Sequence, residues 1–263
     1  VKIALACFLA SGLALWGTLF GFQWSRMRGL EYEMQNPTDD PPDAGEKTEY
    51  TFARLRYRSA GGYRRGSWGT DANKAERQFV QGVRRLTRIH TKSVEQVVDI
   101  DSDDIYNWPW LYAVEVGHWM VSESQARRLR DYLDRGGFLM VDDFHGSYEW
   151  DVFELSLKRI FPDRPVVDLE TSEPIFHVLY DIDQRFQVPG RQYLYSGRTY
   201  EDDGVEPRWR GVFDEKGRLQ VAICHNMDLG DAWEWADHPR YPERFASQAY
   251  RIGTNYLVYA MTH

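Results

Sequence analysis

Three textures divide the chain according to where its apolar residues fall. Residues 3–22 hold no charge at all. At about 1.5 Å per residue such a helix reaches roughly 30 Å, the thickness of one hydrocarbon core. Residues 31–49 are the opposite, with Pro37, Pro41 and Pro42, the acidic Asp39, Asp40, Asp43, Glu46 and Glu49, and almost no large aliphatic side chains. From Thr51 onward, short apolar runs alternate with segments whose apolar residues recur every three or four positions. The first texture predicts a hydrophobic helix within 1–30. The second predicts an extended, solvated linker over 31–50, and the third a folded body over 51–263.

Within the body, 51–57, 94–100, 111–116 and 138–141 are apolar runs of strand length. Ala72, Ala75, Phe79, Val83, Leu86 and Ile89 share one stripe, which predicts an amphipathic helix over 71–90. Ser122 and Gln125 form a capping box ahead of Ala126, Leu129, Tyr132 and Leu133, and Gly136-Gly137 ends that helix. Trp150, Phe153, Leu157, Ile160 and Phe161 mark a third helix closed by Pro162, and 243–261 reads as a last one. Short β-like pieces are expected at 166–169 and 175–180, and a hairpin at 208–213 and 218–224 around Asp214-Glu215-Lys216-Gly217. Strands alternating with helices predict an α/β domain. Runs apolar at every position fit a mostly parallel sheet covered by helices on both faces. No repeat and no second core interrupts the body.

Charge narrows the partners. Lys and Arg number 32 against 40 Asp and Glu, a net −8. Lys2, Arg26 and Arg28 give the first thirty residues +3, which leaves −11 on the remainder. A body that acidic repels phosphate backbones, so nucleic acid is not an expected partner. Cys7 and Cys224 are too few for a disulfide scaffold or a cysteine zinc site. The first segment has two main readings, an uncleaved membrane anchor through Ile3–Phe22 or a cleaved signal peptide; a buried helix is a third. A small-x-small site stands at Ala10-Ser11-Gly12, but the apolar run continues ten residues past it. The anchor and the signal peptide both export the body, which places it in the periplasm or otherwise outside the cytoplasm.

In an open α/β sheet, ligands bind beyond the carboxyl ends of the strands, so the residues there carry the candidate chemistry. After 111–116 comes His118, with Glu115 inside the run. After 138–141 come Asp142, Asp143 and His145. After 218–224 come His225, Asn226, Asp228 and Asp231. His177 lies within 175–180, followed by Asp181. On parallel, adjacent strands these groups would share one rim. Asp and His together can ligate a divalent metal, but no diagnostic spacing such as His-Glu-x-x-His is present, and neither metal nor cofactor is expected. Asp142-Asp143 admits two readings, an acid with a base, or caps for the next loop and helix. Cys224 beside His225 is not expected to be a nucleophile with its base, because neighbours on a strand face opposite ways.

Other features carry less. Trp108-Pro109-Trp110 and Trp233-Glu234-Trp235 either seal the core or stack on a sugar or partner. Arg54, Arg56, Arg58, Arg64 and Arg65 either hold an anion or neutralise the acidic body. Neither a Gly-x-x-x-x-Gly-Lys loop nor a Gly-x-Gly-x-x-Gly fingerprint occurs.

Five separated blocks carry a resemblance: Phe52-Ala-Arg-Leu-Arg-Tyr57, Gly136-Gly-Phe-Leu-Met-Val-Asp-Asp143, Pro174-Ile-Phe-His-Val-Leu-Tyr180, Cys224-His-Asn-Met-Asp-Leu-Gly-Asp231 and the ending Tyr259-Ala-Met-Thr-His263. In this order, from about residue 50 to the end, they resemble the bacterial family called domain of unknown function 4159. The resemblance implies a class I glutamine-amidotransferase-like, flavodoxin-like α/β domain, usually exported or membrane-tethered, with no established activity. Related domains end larger membrane proteins encoded near MoxR-type AAA ATPases and von Willebrand A-domain proteins, which implies protein partners in an envelope complex. True amidotransferases carry Cys on the turn after the central strand; here that turn is Val116-Gly-His-Trp119, so the triad does not carry over. Val121–Asp143 also resembles the trehalose-utilisation branch of the fold, where the matching place lines a presumed sugar site. The expected function is a membrane-tethered, non-catalytic binding or assembly domain of the cell envelope, with a small-molecule or sugar ligand possible in principle. The alternative is a hydrolase or lyase acting on a carbohydrate or peptidoglycan-derived substrate, with Asp142, Asp143, His145 and His225 as acid, base or metal ligands.

Overall fold

The alternation of apolar runs and amphipathic segments folds into one seven-stranded sheet, seen in a computed structural model that describes residues 39–59 and 68–263. The segment Ile3–Phe22 lies outside the described residues, as do Arg64 and Arg65. Among the described residues no helix is long and apolar enough to cross a membrane. In chain order the elements are β1 (Ala53–Arg56), α1 (Lys74–Leu86), β2 (Gln96–Asp99), β3 (Trp110–Val114), α2 (Glu123–Asp134), β4 (Phe138–Asp142) and α3 (Gly146–Ile160). There follow β5 (Val167–Asp168), α4 (Tyr193–Ser196), β6 (Arg208–Phe213), β7 (Leu219–His225), α5 (Leu229–Glu234) and α6 (Glu243–Thr262).

The strands lie in the order β2-β1-β3-β4-β7-β6-β5. The five from β2 to β7 run parallel, and β6 and β5 add on antiparallel at the far edge. The chain steps outward from β1 to β2, then returns to the other side of β1 for β3. The order therefore reverses between β1 and β3, the place where open α/β sheets bind ligands, beyond the carboxyl ends of the strands.

Period-two alternation sorts each central strand between two cores. Trp110, Tyr112, Phe138, Met140, Ala222 and Cys224 face one side, where they meet Phe79 and Val83 of α1, Trp233 of α5 and Ile252 and Tyr256 of α6. Leu111, Ala113, Leu139, Val141, Val221 and Ile223 face the other, against Leu129 and Leu133 of α2 and Phe153 and Leu157 of α3. Both faces are apolar because both are covered, which is why these runs show no alternation in sequence. Trp110 and Trp233 are sealed inside the first core, with the Phe79 ring 5.7 Å from Trp110 and 4.5 Å from Trp233. Core-sealing is thus the role of both.

The capping box before α2 is present with both of its hydrogen bonds, and Gly136, at φ 104°, ends the helix in backbone that a side chain would strain. Two expectations are corrected. Residues 175–180 form no strand; Pro174 opens a 3₁₀ turn over Pro174–Phe176. The backbone beyond is satisfied by a side chain, since Asn255 of α6 accepts from Tyr180 N and donates to Tyr180 O. Pairing with one amide takes the place of a neighbouring strand, a contact that local sequence does not reveal. The piece at 166–169 shrinks to the two residues of β5. Residues 39–49 exchange ion pairs with the body: Asp40 with Arg77, Asp43 with Arg84 and Glu46 with His90.

One arginine of the basic segment is internal. Arg54 of β1 is fully buried, paired with the equally buried Glu76 of α1, and it donates to Trp68 O and Thr70 O at 2.8 Å. This neutralisation is strictly local: it fixes α1 on the sheet and the entry to α1 at the end of β1. Breaking such a pair from one side leaves a charge without water or partner. Arg54→Met or Glu76→Gln is expected to cost about 3–5 kcal/mol in urea unfolding. The double variant Arg54→Met/Glu76→Leu should recover much of that loss, and additive losses would contradict the pairing.

Candidate functional site

The three central strands end alike. Each of β3, β4 and β7 is followed at once by a non-glycine residue in left-handed backbone: Glu115 (φ 55°), Asp143 (φ 51°) and Asn226 (φ 64°). This geometry costs a non-glycine residue about 1–2 kcal/mol, least for Asp and Asn. The ends hold one another in it. Glu115 N donates to Asp142 O and Asp143 O, Asp143 N to Met227 O, and Asn226 N to Phe144 O. The polar side chains at this edge are therefore aimed by a shared backbone network.

Asp142, the last residue of β4, is fully buried. Its Oδ2 accepts from Leu229 N and Gly230 N at 2.9 Å and from Tyr112 Oη at 3.0 Å. It thus caps the first turn of α5 from a distant strand and holds β3, β4 and α5 together. Burial pushes its carboxyl up to about 7, against the pull of those donors. Asp228 caps the same helix locally, accepting from Asp231 N at 2.6 Å.

Asp143 points elsewhere. Its Oδ1 lies 3.2 Å from His145 Nε2, and its carboxylate shares a buried space with Asp71 and Asp228. One oxygen of each of these three lies within 4.8 Å of the other two. A second set, Asp71 with Asp231 and Glu234, meets the same limit, as does the half-buried set Glu115, His118 and Glu149. Burial first, and then the neighbouring carboxylates, raise Asp71, Asp143 and Asp228 well above the ordinary carboxylate range. Glu234 is raised to about 7 by burial and by Asp231. Perturbed groups gathered at a strand-end crevice are the usual mark of a site.

The histidines divide. His145 joins Asp143, with Glu201 3.9 Å away. His225 packs against Phe144 (stacked, centroids 4.8 Å apart) and Trp150 (tilted, 5.0 Å), and its Nε2–H donates to Gly146 O. Burial lowers it to about 4, so it is a neutral structural ring. His118 sits 3.1 Å from Glu115 and 3.4 Å from Glu149, with its pKa raised chiefly by Glu115. His177 bonds Asp181 and Thr171 O and joins none of the other candidates. Asn226 accepts from Gly146 N and donates to Glu206 O, a purely internal tie. Cys224 is buried in β7, its thiol raised by burial. Of Asp142, Asp143, His145 and His225, only Asp143 and His145 converge.

Asp71, Glu149, Glu201 and Glu234 belong to the site and were not among the sequence candidates. Asp71 closes the connection that leaves β1, and the loop after the first strand of such a sheet always opens on the crevice. That topological rule was the available signal; the helical stripe that starts at Ala72 hides it.

Two outcomes follow from these roles. Asp142→Asn keeps an acceptor for both α5 amides and is expected to cost about 1 kcal/mol or less, whereas Asp142→Ala strands them and should cost about 1–3 kcal/mol in denaturant unfolding. Equal losses would contradict the capping role. For His225, NMR titration should find a neutral Nε2–H ring with a midpoint of about 4. A histidine pKa lowered by folding means that the unfolded chain takes a proton the folded chain refuses. Stability should fall as pH drops from about 6.5 toward about 4, by on the order of 3 kcal/mol, and His225→Gln should lack that component.

Comparison with curated proteins finds no match to the chain. A family model does match: residues 51–261 fit the one described as Domain of unknown function (DUF4159). The match covers all seven strands and the whole strand-end edge, and the chain belongs to the DUF4159 family.

Proposed function

We propose that the chain is a membrane-tethered binding or assembly domain of the bacterial cell envelope that works without chemical turnover, its anchor being Ile3–Phe22 and its partners envelope proteins. One observation carries the non-catalytic part. Asp142 and His225, two of the four groups a hydrolase would draw on, are buried, and Asp142 Oδ2 and His225 Nε2 are held by Leu229, Gly230, Tyr112 and Gly146. A general acid or base must reach a substrate proton, and these two face the protein's own backbone and a neighbouring tyrosine. The turn after β3 carries Glu115-Val116-Gly117 and no cysteine, which disfavours an amidotransferase-type nucleophile. The order 2-1-3-4-7 of the parallel strands supports the flavodoxin-like, amidotransferase-like reading of the fold.

The tether and the body are tested together. The full chain should sediment with membranes and stay there through high-salt washing, because apolar insertion does not depend on charge screening. Removing residues 1–30 should release a soluble body that unfolds cooperatively, and protease outside spheroplasts should reach the body of the full chain. A full chain that stays soluble would contradict the tether. Turnover of a glycan substrate that Asp142→Asn abolishes at unchanged stability would replace this reading with a hydrolase.

A further inference from the structure

We propose that Asp71, Asp143 and Asp228 together bind one divalent cation of the hard, oxygen-preferring class, Ca²⁺, Mg²⁺ or Mn²⁺. The inference goes beyond the binding-domain reading and does not depend on it. It also departs from the expectation of no metal drawn from sequence spacing, because the three ligands come from three separate segments that no local motif records.

The geometry supplies three things. First, one carboxylate oxygen from each residue converges within 4.8 Å, and the three side chains arrive from the β1–α1 connection, the end of β4 and the cap of α5. Second, Asp71 is only 4% exposed and its Oδ2 has no hydrogen-bond partner. A buried carboxylate oxygen without a donor costs far more than a satisfied one, so something has to face it. Arg54 acts on Asp71 only through its field and makes no hydrogen bond to it. Arg54 is already held by Glu76 and by the carbonyls of Trp68 and Thr70. A second carboxylate oxygen in the same region, Asp142 Oδ1, is likewise buried and unpartnered. Third, two glycines keep the space clear. A methyl group at Gly230 would lie 2.9 Å from Asp71 Oδ2, and one at Gly190 would strike Asp228 Oδ2.

The donor set selects the class of ion. Three carboxylates and no thiolate favour hard cations, and they supply half of an octahedral shell. A charge of +2 against three carboxylates leaves −1, so the ion removes most of the repulsion among them. His145 holds Asp143 from outside, the position that orients a ligating carboxylate. The neighbouring set is a poorer host. Asp231 already accepts from Arg191 N and Trp235 Nε1, and Glu234 accepts from Trp235 Nε1. In the remaining set, both nitrogens of His118 face carboxylates, which favours imidazolium over a metal ligand.

The test uses the full chain in detergent, stripped with EDTA and dialysed separately against Ca²⁺, Mg²⁺ and Mn²⁺. One ion per chain should be retained for at least one of the three, and at a hundredfold excess over Kd the Tm should rise by about 5–10 °C. Asp71→Asn and Asp143→Asn should weaken binding at least tenfold and abolish the rise. In EDTA they should melt at or above the wild type, having lost a buried charge. Asp163→Asn, at the exposed pair with Arg130 away from the strand ends, should bind as the wild type does. Anomalous scattering from Mn²⁺ in crystals should locate the ion among the three aspartates whether or not a variant folds. The proposal is overturned if the stripped chain takes up none of the three ions, if the Asn variants bind as tightly as the wild type, or if Mn²⁺ lies elsewhere.

Discussion

A carboxylate oxygen set in a dry interior has to be satisfied by donors fixed in advance, and the strand-end edge of this protein is arranged around that demand at Asp142. Two backbone amides and one phenol meet at a single oxygen of it. The amides belong to α5, the phenol to β3 and the acceptor to β4, so one atom joins three elements from separate parts of the chain. The sharp left-handed exits of β3, β4 and β7 follow from the same arrangement. If β4 ran straight on, Asp143 would not leave the sheet toward Asp71, and Met227 would lose its partner amide. Strain of about 1–2 kcal/mol at each exit persists because the hydrogen bonds among the exits over-determine it.

Much of the fold was legible from spacing. The stripe through Phe79 and Val83, the capping box at Ser122 and the uninterrupted runs of β3, β4 and β7 all report burial, which is what hydrophobic pattern encodes. The pattern failed where a backbone segment is satisfied by a distant side chain. Asn255 does this for Tyr180, and Asp142 does it for the short helix at Leu229, which no periodicity foretold. The site was legible in part for the same reason. Strand-end logic reached Asp142, Asp143, His145, His225 and Asp228 but could not say which face the protein and which face one another. Asp142 and His225 turn inward to backbone; Asp143 turns to carboxylates that lie 72 and 85 positions away in sequence.

Two ways of handling buried charge stand side by side at the sheet. At β1, Arg54 answers Glu76 within the protein. Asp71, in the connection after β1, gathers with other acids; Arg54 reaches it only through its field, and no group donates to its Oδ2. The contrast separates a charge used for holding α1 on the sheet from charges held ready for something that is not part of the chain. Several surface acids are matched by arginines, as in Asp163 with Arg130 and Asp134 with Arg164, while Asp71, Asp143 and Asp228 are buried together beyond the strand ends.

Cys224 lies in the middle of the sheet, fully buried between α6 and the strands on either side, with its thiol pushed above its ordinary ionisation by burial. Thiolate is the form that attacks disulfides and peroxides, and a thiol that neither ionises nor meets solvent does neither. The described part of the body therefore offers no reactive thiol. Among the described residues Cys224 is the only cysteine, so this part of the body folds without a disulfide of its own.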